Sequence, residues 1–248
     1  MLDEQALDDV IGPEIPRAKC TLLDASDLNT KNHDGHLILN CNARGFRSNL
    51  ENIREFIQTI RDPARIKIMG ISESFACGTK NNYLETHVLV ARERQSNPDR
   101  GGVAFLLQND LHYTTPHLPD DFHDGLMESL TIVIKEIKTI ACIVYRPTAC
   151  VTSDENLFNA KLKELVANIN KLPEAKDHTK IIMGDFNFNL RNTEHQPTAD
   201  YINLLIENGF MPTNCEIDTR VSNISSTLID QLWISHQHRV QSSFVIGD

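Results

Sequence analysis

The sequence has no apolar run that approaches the roughly 20 residues needed to span a membrane. Its first 16 residues, MLDEQALDDVIGPEIP, are acidic and do not show the basic and apolar pattern of a secretory signal. The six cysteines include no CxxC pair and no disulfide-framework spacing. We therefore predict an intracellular protein, nuclear or cytoplasmic, with reduced thiols and no membrane partner.

A basic excess is also lacking, because 24 Lys and Arg residues against 34 Asp and Glu residues give a formal net charge of −10. Surfaces that bind nucleic acid by bulk charge are usually basic, so this balance argues against that kind of binding. It does not exclude a metal-dependent nuclease, since clustered carboxylates hold the cation and the cation reverses the local field. The 248 residues suffice for one large α/β domain or two small ones.

The first part of the chain differs in pattern from the rest. Residues 1–35 are polar and lack a sustained period, and the stretch DASDLNTKNHDGH has the composition of a loop. We interpret residues 1–35 as an N-terminal extension that is poorly ordered or wraps around a domain formed by residues 36–248.

Short apolar runs and amphipathic segments follow residue 35. The predicted strands are HLILNCNA, RIKIMGISES, GGVAFLLQ, LTIVIKEI, KTIACIVYRP, IIMGD, TLIDQLWIS and SSFVI. The predicted helices are SNLENIREFIQTIRD, ENLFNAKLKELVANINKL and ADYINLLIEN. Capping boxes are predicted at Ser48 with Glu51 and at Thr152 with Glu155, and Gly209 fits a C′ position. Strands outnumber helices, which indicates mixed sheets with helices outside.

Polar residues that can do chemistry end one predicted strand after another. They are Asn40 and Asn42 in LILNCN, Glu73 in IMGISE, Tyr145 in IACIVY, Asp185 and Asn187 in IIMGDFN, and Asp230 in TLID. Because sites in α/β folds form where strand ends converge, we expect these side chains to meet at one rim. Residues two apart on a strand face the same side, so the pairs in NCN and DFN are predicted to share a pocket, with Phe186 packed behind.

The chemistry of this set is specific. Mg²⁺ prefers carboxylate and amide oxygens. A carboxylate such as Asp185 can deprotonate an attacking water, while Asn and Tyr side chains can donate hydrogen bonds to phosphoryl oxygens. Each residue alone has an ordinary structural explanation, such as a turn for an Asp that follows Gly184. The repetition on separate strands favours a functional site.

The motif GDFN, which follows a predicted buried strand, resembles the motif of the endonuclease/exonuclease/phosphatase superfamily. The stretches LNCNARGFRSN, GISES, GGVAFLL, ESLTIVI, VYRP and TLID occur in the matching order. As a set, from about Leu37 to the C-terminus, they resemble the endonuclease domain of non-LTR (LINE-type) retrotransposon polyproteins. The resemblance implies an α/β fold, a four-layer sandwich of two mixed β-sheets flanked by helices. It also implies Mg²⁺-dependent nicking of a DNA substrate, with Mn²⁺ as the alternative ion and a reverse transcriptase domain in cis.

The resemblance further implies roles for individual residues. Glu73 would be the main metal ligand, and Asn40 and Asn42 would hold metal-bound water and phosphate. Asp185 would activate or orient the attacking water. Tyr145 would contact the phosphate, Asn187 would support it, and Asp230 would orient a catalytic histidine. The candidate DNA or phosphate contacts are Arg44, Arg47, Arg146, Arg191 and Thr148, the last at the position of an amide in some relatives.

The family pattern ends with a strand followed by Ser-Asp-His, and this sequence ends at SSFVIGD. The domain is therefore predicted to lack the family's last strand and that motif, and hydrolysis is expected to be impaired. Asp248 is not a convincing substitute, and His236 and His238 are predicted to be exposed loop residues. Two alternatives stay open: another phosphodiesterase or phosphatase of the superfamily, and a catalytically dead domain that binds nucleic acid or protein.

Overall fold

The computed structural model describes residues 20–23, 28, 35–75, 83–94, 100–119, 122–148, 152–221 and 226–246. The α-helices in these ranges are α1 (Leu50–Thr59), α2 (Thr152–Asn170) and α3 (Gln196–Glu207). The first strands are β1 (Cys20–Leu23), β2 (Leu37–Asn42), β3 (Ile66–Ser72), β4 (His87–Arg92), β5 (Val103–Gln108), β6 (Tyr113–Thr114) and β7 (Glu128–Ile134). The others are β8 (Thr139–Tyr145), β9 (Thr179–Asp185), β10 (Met211–Pro212), β11 (Arg220–Val221), β12 (Ser226–Thr227), β13 (Asp230–Ile234) and β14 (Ser243–Ile246).

Two mixed sheets form the centre of the fold. The large sheet has the strand order β10-β13-β9-β8-β7-β6, and the small sheet has the order β2-β3-β5-β4. The pairs β8–β9 and β2–β3 are parallel, whereas the other neighbours within these two sheets are antiparallel. Two short pairs, β11–β12 and β1–β14, lie outside the two sheets.

Three apolar clusters hold four layers together. The cluster between the sheets joins residues such as Ile68 and Phe105 of the small sheet to Ile143 and Met183 of the large sheet. A second cluster packs α2 and α3 on the outer face of the large sheet, and a third packs α1 on the outer face of the small sheet. The predicted four-layer α/β sandwich is thereby confirmed.

The helix ends agree with the sequence only in part. The capping box predicted at Ser48 is wrong, because the N-cap of α1 is Asn49, and the Asn49 side chain does not cap a backbone N–H of the helix. The Asn49 amide instead donates to the Ala43 carbonyl at 2.8 Å. The Thr152 side chain lies outside the described atoms, so the second box is untested. Gly209 follows α3 with a φ of +80°, as expected for a C′ residue.

Part of the predicted N-terminal extension is a strand. Cys20–Leu23 pairs in parallel with Ser243–Ile246, so the segment before the domain contacts the far end of the described chain. The rest of residues 1–34, apart from Leu28, lies outside the described ranges. Within the described ranges, no helix combines the length and apolar character that crossing a membrane requires.

Candidate active site

A row of polar residues crosses four neighbouring strands at one edge of the large sheet. Glu128 is the register partner of Tyr145. Tyr145 is the partner of Asp185, and Asp185 is the partner of Asp230. Directly opposed residues share a face of a sheet, and Tyr145 packs in the cluster between the sheets, so the row faces the small sheet.

The sequence prediction for Asp230 needs one correction. Asp230 begins β13 and does not end a strand. Since β13 is antiparallel to β9, its first residue still lies beside the last residue of β9. The predicted rim therefore forms from strand starts as well as strand ends.

The small sheet supplies amides and a carboxylate that face this row. The Asn42 amide nitrogen donates to Glu73 Oε1 at 2.7 Å and to Asp185 Oδ2 at 2.8 Å. Asn40 Nδ2 donates to the Gly184 carbonyl at 3.2 Å. Both asparagines of NCN thus contact the large sheet, as the strand period predicts. Asn42 brings carboxylates from the two sheets to a single side chain.

Several residues of the site have a left-handed backbone conformation, with a positive φ. Glu73 follows β3 with a φ of +52°, a value that residues with a side chain rarely adopt. The Gly45 N–H donates to the Glu73 carbonyl at 2.7 Å and so holds the turn. Arg44 and Asn187 share the left-handed conformation. Such strain costs on the order of 1–3 kcal/mol per residue and clusters at functional sites.

Asp185 is fixed by its neighbours along the chain. Its backbone N–H donates to Ser72 Oγ at 3.1 Å, and its Oδ1 accepts from the Asn187 N–H at 3.0 Å. β9 ends at Asp185, so the strand period does not extend to Asn187, whose amide instead donates to the Arg146 carbonyl at 2.6 Å. The predicted shared pocket of the DFN pair is thus wrong in this detail, whereas Phe186 is fully buried behind the site as predicted.

Burial and mutual repulsion shift the titration of the row. Burial raises the pKa of Asp185 to about 6, although hydrogen bonds from Asn42 and Asn187 oppose the shift. Burial and then the charge of Asp185 raise the pKa of Asp230 to about 7. Burial, followed by the charges of Glu73 and Asp185, raises the pKa of Tyr145 well above its ordinary value. Tyr145 therefore remains a hydrogen-bond donor at neutral pH.

Thr219 is a site residue that the sequence did not reveal. Its Oγ1 accepts from the Ile229 N–H at 3.2 Å and from the Asp230 N–H at 3.0 Å, and its hydroxyl donates to the Asp230 carboxylate. Glu128 was also missed as a site residue, although it opens the quoted motif ESLTIVI. Neither has a local sequence signal, because Thr219 is set by a loop contact and Glu128 by strand register.

The donor set fits a divalent cation. Asn40 Oδ1 and Asp230 Oδ1 are buried and have no partner among the residues described here. Together with Glu73 and Asp185, they offer carboxylate and amide oxygens, which Mg²⁺ prefers. No group of three or more His, Cys, Asp or Glu side chains in the described ranges could hold a metal alone. An ion here would therefore also rely on amide oxygens and water.

Arg146 was predicted to contact DNA, and the structure corrects this prediction. Its Nε donates to the Phe186 carbonyl at 2.6 Å, and its Nη2 donates to the Asn187 carbonyl at 2.5 Å. Its Nη1 pairs with Glu155 at 3.2 Å, and the guanidinium lies 4.0 Å from the centre of the Phe188 ring. Since this side chain is buried and bonded internally, it braces the loop after Asp185 and is not available to DNA.

The other predicted contacts divide into two groups. Arg44, Arg47 and Thr148 are exposed, and the charge of Arg44 reaches Asp230. Arg191 Nη2 donates to the Glu216 carbonyl, and Arg191 Nε lies 3.3 Å from Asp218 Oδ1. These internal contacts do not support the prediction that Arg191 contacts DNA.

The histidines predicted to be exposed follow the end of β13 remote from Asp230. His238 is exposed as predicted, whereas His236 is half-buried and hydrogen-bonded to Ser235 at 2.9 Å. Asp248 lies outside the described residues.

Solved structures share this fold at low sequence identity. A 3′-5′ exonuclease (NExo) from Neisseria meningitidis superposes with a TM-score of 0.61 at 14% identity, over 83% of this chain and 90% of that one. An AP endonuclease from Archaeoglobus fulgidus gives 0.56 at 15% identity, over 80% and 86%. The endonuclease domain of TRAS1, a telomere-specific non-LTR retrotransposon, gives 0.55 at 12% identity, over 79% and 82%.

The sequence itself matches one protein family. A comparison with curated proteins finds no match to this chain. The sequence profile described as "Endonuclease/Exonuclease/phosphatase family" matches residues 32–248, which include every residue of the site described above. Members of this family are hydrolytic nucleases and phosphatases that generally use divalent metal ions. The chain belongs to the endonuclease/exonuclease/phosphatase family.

Proposed function

We propose that this chain is a Mg²⁺-dependent phosphodiesterase that nicks DNA. The observation that carries the proposal is the Asn42 amide, which bonds Glu73 of one sheet and Asp185 of the other at 2.7 and 2.8 Å. This contact places two carboxylates within reach of one bound group. Tyr145 and Asp230 lie next to Asp185 in the same row.

The residues divide the chemistry of phosphodiester hydrolysis among them. Glu73 would hold the ion with help from Asn40 and Asn42, and the ion would neutralise charge on the phosphoryl oxygens. Asp185, ionised above a pKa of about 6, accepts a proton from the attacking water. The Tyr145 hydroxyl donates a hydrogen bond to the phosphoryl oxygen as negative charge develops. Asn187 supports the geometry through its N–H bond to Asp185.

Two observations favour DNA over a small phosphoester. Arg44 and Arg47 are exposed beside the strand that carries Asn42, where they can meet phosphates flanking the reacting one. Structures of similar fold include a Neisseria NExo variant bound to a product DNA hairpin and the TRAS1 endonuclease domain. We extend the proposal to the endonuclease domain of a non-LTR retrotransposon, intracellular and joined to a reverse transcriptase in cis.

A substrate panel tests this proposal. The purified chain is incubated with supercoiled plasmid, a 3′-phosphorylated oligonucleotide and a small phosphodiester, each with Mg²⁺, Mn²⁺ or EDTA. We expect conversion of plasmid to the nicked circle with either ion and none in EDTA. Phosphate release from the oligonucleotide without plasmid nicking would replace the endonuclease assignment with a phosphatase. Inactivity on every substrate would indicate a binding domain.

A further inference from the structure

Glu128 is a buried carboxylate next to the proposed site. It is the register partner of Tyr145 at the first position of β7, and its side chain is fully buried. One carboxylate oxygen accepts from Arg94 Nε and the other accepts from the Gly102 N–H. Both carboxylate oxygens of Glu128 are therefore hydrogen-bonded. Through Glu128, which lies directly opposite Tyr145, the Arg94 guanidinium is held close to the proposed site.

The Arg94 guanidinium is confined on a second side by Gly101. This glycine has a φ of +73°, and a Cβ atom there would come within 2.5 Å of Arg94 Nη2. The guanidinium thus lies in a slot between the Glu128 carboxylate and the glycine backbone. Confinement of this kind lowers the entropy that an arginine loses when it binds a ligand.

The terminal nitrogens of Arg94 differ from Nε in their contacts with the described residues. Only Nε is bonded to a described residue, and the side chain keeps 17% of its surface exposed. Arg146 shows the contrast, because its Nε and both terminal nitrogens bond internally and its side chain is only 6% exposed. Two anchored guanidinium groups flank the site, and the terminal nitrogens of Arg94 have no hydrogen-bond partner in the described part of the chain.

We propose that Arg94 binds a backbone phosphate of the DNA substrate, adjacent to the phosphodiester that reacts beside Asp185 and Tyr145. Glu128 is the positioning residue that holds the guanidinium in place. The inference rests on the proposed function, since the ligand is a phosphate of the same DNA. A guanidinium fork matches two phosphate oxygens, which suits this anchored geometry. The charge of Arg94 also reaches Tyr145, where it lowers the pKa of the phenol against the larger upward shifts.

The test measures DNA affinity against salt. Binding of a labelled 30-base-pair duplex is followed by fluorescence anisotropy in Ca²⁺ for the parent and for the double variant Arg94→Met with Glu128→Gln. The double variant removes both charges of the pair and keeps an acceptor for the Gly102 N–H. Lys163→Ala, at an exposed position on α2, is the matched loss of a positive charge far from the site.

A phosphate contact predicts that the double variant binds about tenfold more weakly, with a slope of log K against log salt that is smaller by about 0.9. Lys163→Ala should match the parent in both quantities. A purely structural pair would change stability but not the slope, so a folded double variant with the parental slope and affinity would overturn the Arg94 assignment alone. A parent chain that does not bind duplex DNA would overturn the proposed function and this inference together.

Discussion

At the scale of single residues, the site depends on acidic groups held close together and away from water. Asp185 and Asp230 are register partners; the strands around them bury Asp185 and half-bury Asp230. Thr219 and Asn42 each donate one hydrogen bond that eases this burial. The remaining electrostatic cost is a reason for these groups to accept a cation or a proton.

The cost can be measured at Asp230. Its pKa of about 7 in the folded protein exceeds the ordinary value of 3.8, so the folded state holds a proton that the unfolded state releases. The stabilisation that comes from protonated Asp230 is fully present below pH 4 and is lost as the pH rises through 7. We predict that Asp230→Asn, which resembles the protonated acid, stabilises the protein by a few kcal/mol at pH 8 and very little at pH 4.

Urea unfolding in metal-free buffer between pH 4 and pH 8 checks this prediction. The benefit of Asp230→Asn should grow from pH 4 to pH 7 and then level off. Asp200→Asn, exposed on α3, is the control and should show no such trend. A benefit that is the same at every pH would contradict the electrostatic explanation.

At the scale of elements, the loops after β8 and β9 are positioned by close backbone packing and by hydrogen bonds to backbone carbonyls, not by the secondary-structure propensity of their residues. Gly184 has a φ of +142°, and a Cβ atom there would lie 1.8 Å from the Val144 carbonyl oxygen of the neighbouring strand. Only glycine allows β8 and β9 to come this close just before Asp185. The loop that follows is held by the internal bonds of Arg146.

Gly184→Ala should therefore be severe. We predict a loss of about 3–5 kcal/mol in the free energy of unfolding, because the new methyl group meets backbone that cannot move aside. Gly209→Ala is the matched control: its φ is also positive, but no atom lies within 4 Å of the added Cβ. It should lose only about 1 kcal/mol. Equal losses in denaturant titrations would mean that the strands can separate at Gly184.

Arg146 and Arg47 should differ in how much each contributes to the free energy of unfolding. Arg146→Met leaves the Phe186 and Asn187 carbonyl groups without this donor and removes the partner of Glu155 Oε1, while Glu155 Oε2 keeps its contact with His195. We therefore predict a loss of about 3 kcal/mol in the free energy of unfolding. Arg47→Ala removes an exposed charge and should change that free energy by less than about 0.5 kcal/mol. Chemical denaturation of both variants decides this, and a neutral Arg146→Met would refute the bracing role.

At the scale of the whole molecule, the sequence predicted the layers because the three helices and most of the longer strands carry an apolar pattern, although β4 of the small sheet was not predicted. Leu162, Leu165, Val166 and Ile169 of α2 are spaced for a helix, and all are buried against the large sheet. The convergence of polar strand ends was also predictable from their repetition. What could not be predicted depends on contacts between distant residues.

Arg146 illustrates this limit. Its acceptors are carbonyl groups 40 and 41 positions further along the chain, so nothing in YRPT distinguishes a buried brace from a DNA contact. The Thr219 hydroxyl oxygen accepts from the Asp230 N–H across the short antiparallel pair β11–β12, and no local pattern marks Thr219 for this contact. The period of two was applied to both pairs. It is right for NCN, because β2 continues to Asn42, and wrong for DFN, because β9 ends at Asp185.

The central claim is that carboxylates from opposite sheets form one hydrolytic site. The most direct measurement is the single-turnover rate of plasmid nicking at saturating Mg²⁺ for the parent, Asp185→Ala and Glu55→Ala, the last an exposed acid on α1 in the outermost layer. We predict equal rates for the parent and Glu55→Ala, and a rate at least about 10³-fold lower for Asp185→Ala. Nicking by Asp185→Ala at the parental rate would contradict the account.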